Sequence, residues 1–220
     1  MFLGHFGVAL GAKKAAPKVS LGTLLVAAQF ADLLWPTLLL LGIEKVEIEP
    51  GITKMTPLDF TYYPYSHSLL MGIVWGILLG AIFFLFNKNL RGAIIIGLCV
   101  VSHWMLDLIV HRPDLPLYPG SPLKVGFDLW DSAIATHSLE AIFFFGGFWL
   151  YMRSTKAKNK IGIWGMWSFI AFMILSYLIN TFSPPPPSVT AIAWMALVQW
   201  LLVIWTYWFD RNRKPIVANS

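Results

Sequence analysis

The chain has 220 residues, of which 57% are hydrophobic and only 12% are charged, and its formal net charge is +5. So little polar surface excludes a water-soluble globular domain and indicates an integral membrane protein. The positive charge does not indicate a nucleic-acid partner, because the basic residues are dispersed among loops and form no single patch. The partners that we expect are membrane lipids with anionic headgroups.

The apolar runs predict the architecture. Residues 1–12 are too short to span a bilayer and lack the basic stretch of a cleavable signal, so we expect a short, retained half-membrane helix packed against protein. Six later runs of about 20 residues are each long enough to cross the hydrocarbon core as a helix. They are residues 21–43, 67–86, 92–110, 132–152, 161–182 and 189–209. The sequence therefore predicts an all-α, polytopic membrane helical bundle in which residues 1–220 form a single domain.

The basic residues also predict an orientation. Most of the 16 lysines and arginines lie before the first run, between the second and third, between the fourth and fifth, and after the sixth. The loops at the other end, 44–66, 111–131 and 183–188, are richer in acidic residues. Because short cytoplasmic loops carry an excess of Lys and Arg, we expect a cytoplasmic C-terminus and extracytoplasmic acidic loops.

Ionisable residues interrupt three of the apolar runs. Asp32, Asp107 and Glu140 each lie where lipid makes a charge costly, by about 2.5 to 3.5 kcal/mol on insertion scales, so they are expected to face a protein interior. His103 precedes Asp107 by four residues, which puts both side chains on one helix face. At a rise of about 1.5 Å per residue, these groups and His67 converge in the outer half of the membrane. Such a set indicates a functional site.

The residue types in this set favour a divalent metal. Imidazole and carboxylate together suit Zn²⁺, the most favoured ion here, and also Mn²⁺ or Fe²⁺ where carboxylates predominate. In this interpretation a metal-activated water attacks the substrate, Glu140 is the general base, and Asp107 is a primary or bridging ligand. A site at this depth favours an amphiphilic, lipid-like substrate with a phosphoester or other ester.

Four segments resemble the YdjM-like family of bacterial integral-membrane, metal-dependent hydrolases. They are residues 4–5 (GH), 28–35 (AQFADLLW), 64–69 (PYSHSL) and 102–107 (SHWMLD). The resemblance implies a hydrolase of the bacterial inner membrane. It also implies that the metal ligands are His5, Asp32, His67, His103 and Asp107.

Five further residues are secondary site candidates. Gln29 and Ser68 lie within the segments just quoted. The order of histidines and acids is also similar to the sites of zinc-dependent phospholipase C and P1-type nucleases, which implies roles for His111 and His137. Arg112, in a predicted outer loop, is a candidate contact for an anionic headgroup.

Two other interpretations stay open at this point. Intramembrane Asp, Glu and His residues also build ion- or proton-coupled transporters, which would use the same buried cluster. A buried polar network can also serve helix packing alone. The sequence shows no inverted repeat, which favours the hydrolase over the transporter.

Overall fold

Residues 1–216 of this computed structural model form an all-α bundle, which confirms the predicted fold class. The helices are α1 (Leu3–Ala15), α2 (Leu21–Ala28), α3 (Phe30–Leu40), α4 (Pro64–His67), α5 (Leu69–Asn87), α6 (Leu90–Val110), α7 (Ala133–Ser154), α8 (Lys160–Phe182), α9 (Val189–Leu197) and α10 (Gln199–Asp210). The strands form antiparallel pairs of β1 (Lys45–Ile48) with β2 (Leu58–Tyr62), β3 (Leu115–Pro116) with β4 (Lys124–Val125), and β5 (Thr155–Ala157) with β6 (Arg213–Pro215). The largest buried apolar cluster comes mainly from α1, α2, α6, α7, α8 and α10.

Five helical segments of the described chain are long and apolar enough to cross a membrane. They are α5, α6, α7, α8 and the segment Val189–Asp210, which contains α9 and α10. The pair α2 and α3 makes a sixth crossing if it is taken as one bent span. These lengths and compositions are those of an integral membrane protein.

The first predicted span is not one continuous helix, and this corrects the sequence-based expectation for residues 21–43. The chain bends by 57° between α2 and α3, at Gln29. In an unbroken helix the Ala28 carbonyl would accept a hydrogen bond from the N–H four residues later. Here it accepts one from His103 Nδ1 at 2.8 Å. A side chain inserted into the helical hydrogen-bond ladder is a recognised cause of such a break.

Helix α1 lies inside the bundle, as expected of a helix too short to cross a bilayer. Its face packs on α7 with backbone against backbone, because Gly7 and Gly147 meet there without side chains between them. A Cβ atom added to either glycine would overlap main-chain atoms of the opposite helix. Phe6 and Leu10, both buried, fill the space beside this contact. The close approach brings the start of α1, and therefore His5, to the centre of the molecule.

The other end of α1 is held by a buried ion pair that the sequence analysis missed. Lys13 Nζ lies 2.8 Å from Asp210 Oδ2 and also donates to the Val19 carbonyl at 2.7 Å. The Asp210 carboxylate accepts further hydrogen bonds from the Tyr151 hydroxyl and the Leu21 N–H. Each buried charge is therefore paired and hydrogen-bonded, which is the condition for tolerating it. The network ties α1, α2, α7 and α10 together at one end of the bundle.

Candidate metal centre

Five side chains from four helices converge in the bundle. His5 comes from α1, Asp32 from α3, His67 from the end of α4, and His103 and Asp107 from α6. Ligand atoms of His5, His103 and Asp107 lie within 4.8 Å of one another, and so do those of Asp32, His67 and His103. All five are buried except Asp32, whose side chain is 26% exposed. The structure thus brings together every residue that the family resemblance implies as a ligand.

Several spacings between these groups are those of ligands around a tetrahedral ion. His103 Nε2 lies 3.1 Å from Asp107 Oδ2 and 3.6 Å from Asp32 Oδ1. His67 Nε2 lies 3.4 Å from Asp32 Oδ1 and 4.0 Å from Asp107 Oδ2. Ligands held about 2.0 to 2.1 Å from a tetrahedral Zn²⁺ are about 3.3 Å apart. The first three distances are close to this value, whereas the distance from His67 to Asp107 is longer.

The two carboxylate oxygens of Asp107 contact different groups: Oδ2 faces His67 and His103, and Oδ1 faces His5 and Met1. Asp107 Oδ1 lies 3.1 Å from His5 Nε2 and 2.6 Å from the main-chain nitrogen of Met1. The His5 ring stacks on the His103 ring with 3.7 Å between centroids. The two oxygens of Asp107 therefore face different partners.

Hydrogen bonds determine which nitrogen of His103 faces the cluster. Since a carbonyl only accepts, the contact with Ala28 requires a proton on His103 Nδ1. The Nε2 atom of the neutral ring then carries a lone pair, and it makes no hydrogen bond within the described chain. A buried lone pair that faces two carboxylates is repelled unless the nitrogen is protonated or a cation lies between them. The donor set therefore fits a divalent metal ion.

The His67 ring is oriented by a relay that the sequence analysis did not find. The Ser66 hydroxyl donates to Glu44 Oε2 at 2.6 Å, so it accepts from His67 Nδ1, also at 2.6 Å. Glu44 is buried and accepts two further hydrogen bonds, from the main-chain N–H groups of Tyr65 and Ser66. This relay keeps the proton on Nδ1 and turns the Nε2 lone pair toward Asp32, as outer-shell partners do at metal sites. Glu44 gave no sequence signal, because a carboxylate in a polar loop resembles an exposed one.

We expect Ser66→Ala to weaken metal binding by about 10- to 100-fold, the usual effect of removing an outer-shell partner. The substitution removes the hydroxyl that orients His67, and competition with a chelator of known affinity measures the change. Ser68→Ala is the matched control, because the Ser68 hydroxyl instead accepts from the Met71 N–H and caps α5. Equal metal affinities for wild type and Ser66→Ala would contradict the relay.

Glu140, the predicted general base, contacts the start of α1. Its two oxygens accept hydrogen bonds from the main-chain N–H groups of Phe2 and Gly4, each at 2.7 Å. These are donors at the start of α1 that have no partner within the helix, and a carboxylate there also interacts favourably with the helix dipole. Glu140 therefore caps α1 and holds the helix that carries His5, and its assignment as the general base stays a prediction that these contacts do not favour.

His111 does not join the cluster either. It lies just beyond the helix that carries His103 and Asp107, because α6 ends at Val110 and the His111 backbone is extended. Its Nδ1 atom lies 2.9 Å from Asp114 Oδ1, which also accepts from the Tyr63 hydroxyl at 2.7 Å. Burial lowers the pKa of His111, and burial together with Asp114 raises the pKa of Tyr63 well above its usual value. Both rings are therefore neutral near pH 7.

The other secondary candidates lie outside the ligand set. Arg112 pairs with Asp59 and is partly exposed. His137 Nδ1 lies 2.7 Å from the Tyr177 hydroxyl, between α7 and α8. Gln29 is buried at the bend, where its side-chain amide has no hydrogen-bond partner among residues 1–216. Of these three residues, only Gln29 has a polar side chain for which the described residues supply no hydrogen-bond partner.

The geometry defines the class of this protein as an all-α bundle with a buried His–Asp cluster suited to a divalent metal. Comparison of the chain with protein-family models, with curated proteins and with solved structures finds no match.

Proposed function

We propose that this protein is a membrane-embedded, metal-dependent hydrolase that cleaves a phosphoester or other ester of an amphiphilic, lipid-like substrate. The observation that carries the proposal is the arrangement of His67 and His103, whose Nε2 atoms face the carboxylates of Asp32 and Asp107. A purely structural network would align each N–H with an oxygen. The Nε2 atom of His103 lies 3.1 Å from Asp107 but is not aligned for a hydrogen bond. A central ion removes the need for such alignment.

The residues of the cluster have different proposed roles in metal binding. Asp32, His67 and His103 would hold an ion beside Asp107, and His5 with the other oxygen of Asp107 supplies further donors. When bound, Zn²⁺ or Mn²⁺ lowers the pKa of a coordinated water to about 7 and so supplies the nucleophile.

Asp32 replaces Glu140 as the candidate proton acceptor. Its contacts with His67 and His103 use Oδ1, which leaves Oδ2 able to accept a proton from the attacking water. It is also the one partly exposed carboxylate of the cluster, whereas both oxygens of Glu140 are engaged by main-chain N–H groups.

The charge pattern supports a location for the reaction. The cluster lies toward the start of α5 and the end of α6, while Lys88 and Arg91 lie at the opposite ends of the same helices. With basic residues on the cytoplasmic side, the site is in the outer half of the bacterial inner membrane and the C-terminus is cytoplasmic. Substrate then enters from the outer leaflet.

Metal analysis of purified protein tests the proposal. We expect wild type to contain stoichiometric Zn or Mn, and His103→Ala to lose it because that ring contacts both carboxylates. His137→Ala is the matched control, since this histidine bonds to Tyr177 outside the cluster and its loss should leave the metal content unchanged. A metal-free wild type that carries a pH-dependent ion flux in liposomes would overturn the hydrolase in favour of a transporter.

A further inference from the structure

An apolar groove runs along the outside of the bundle between α5 and α6. Its volume is about 390 Å³, and no residue that lines it has a polar side chain. Ile73, Ile77 and Phe84 form one wall, and Leu90, Ile94 and Leu98 form the other. The groove is concave, whereas a helix face that only borders lipid has no need to be.

Glycines produce this shape. A Cβ atom on Gly76 would lie 2.8 Å from the Gly97 carbonyl oxygen, and one on Gly80 would lie 2.8 Å from that of Ala93. The two backbones therefore touch along the seam, and the larger side chains stand to either side of it. Because α6 already covers these glycines, they offer no bare backbone for close packing by a second helix.

The groove lies beside the candidate metal centre, because Gly76 in the groove is one turn along α5 from Gly72, which lines a cavity at the centre. A small cavity of about 10 Å³, room for one water, is lined by His67, His103, Gly72 and Val100. The groove begins at the next residue on each helix, Ile73 on α5 and Val101 on α6. A Cβ atom on Gly72 would meet nothing within 4 Å, so this part of the cavity wall is open.

The length of the groove matches one acyl chain. From Ile73 to Phe84 the helix rises about 16 Å. This is about half of the hydrocarbon core, which is about 30 Å thick, and is comparable to the length of one acyl chain.

We propose that the groove holds an acyl chain of the lipid substrate, with the scissile ester of its headgroup at the His–Asp cluster. This inference rests on the proposed function, because the cluster gives the lipid headgroup its place. It names the substrate class as a membrane lipid with at least one long chain. Water-soluble esters lack the part that the groove binds.

Photo-cross-linking in vesicles tests the groove, with phosphatidic acid that carries a diazirine near the end of one acyl chain as the probe. Mass spectrometry then identifies the labelled residues. We expect labelling to concentrate on groove residues such as Ile77, Ala81 and Leu98. Ile77→Trp fills the groove and should reduce this labelling to the level of other lipid-facing residues. Leu78→Trp is the matched control, because Leu78 is the exposed neighbour that does not line the groove.

The outcomes separate the two proposals. Labelling spread evenly over all lipid-facing helices would overturn the groove, and so would a disulfide-linked dimer formed by Ile77→Cys but not by Leu78→Cys. Metal content is measured in the same wild-type preparation. Stoichiometric metal with even labelling would overturn the groove alone. Labelling confined to the groove in a protein that binds no Zn or Mn would overturn the proposed hydrolase alone.

Discussion

Replacing Asp107 with Asn is expected to lower metal affinity and hydrolysis by at least about 100-fold, because even the loss of an outer-shell partner costs up to that much. Asp107 is the carboxylate that the other ligands share: one oxygen faces His5 and the other faces His67 and His103. An amide keeps the shape but removes the negative charge, and its NH₂ group cannot ligate a metal. Metal analysis and release of phosphate from phosphatidic acid in detergent measure the two effects.

Asp114→Asn is the control for this substitution. Asp114 is also a buried carboxylate with a histidine partner, but that partner is His111, outside the ligand set. We expect this variant to retain its metal and its activity. Asp107→Asn protein that keeps full metal content and full rate would show that the cluster is not a metal centre.

Gly147→Ala is expected to destabilise the protein by about 3 kcal/mol, the upper part of the range for overpacking a core. The added methyl group would overlap the Gly7 main chain, and backbone cannot move aside as a flexible side chain can. To relieve the overlap, α1 must move away from α7. Since α1 carries His5, we expect metal content to fall together with the unfolding temperature.

The adjacent glycine of the same helix is the control. A Cβ atom on Gly146 would meet nothing within 4 Å. Because Ala is a better helix former than Gly, we expect Gly146→Ala to stabilise the protein by about 0.5 to 1 kcal/mol. The two variants should therefore have opposite signs in thermal unfolding. A Gly147→Ala protein as stable as wild type would contradict the backbone contact between α1 and α7.

Much of the cluster was predictable because it depends on local spacing and on the cost of charge in lipid. The four-residue separation of His103 and Asp107 puts both on one face of any helix, and α6 is a helix through both residues. Asp32 lies in an apolar run, so it had to face protein. His5 was found through the family resemblance alone, because a single histidine on a short apolar segment has no distinguishing pattern.

Roles that depend on contacts between distant segments were not predictable. Glu140 was assigned as a base because it is an acid at membrane depth, yet its partners are main-chain N–H groups of Phe2 and Gly4, more than 130 residues away. Glu44 was placed in a polar loop, although it is buried and orients His67 through Ser66. Residue type states what a carboxylate is able to do, but only its neighbours decide which of these tasks it has.

The amino-acid sequence by itself determined that this chain forms a bundle of long apolar helices and that its buried ionisable groups avoid lipid, because both follow from composition and helical periodicity. The tertiary structure alone decided the break at Gln29, the capping of α1 by Glu140 and the proton position on His103. Each of these depends on which group of one segment meets which group of another. These contacts are set by the packing of distant segments in three dimensions, which no single stretch of sequence encodes.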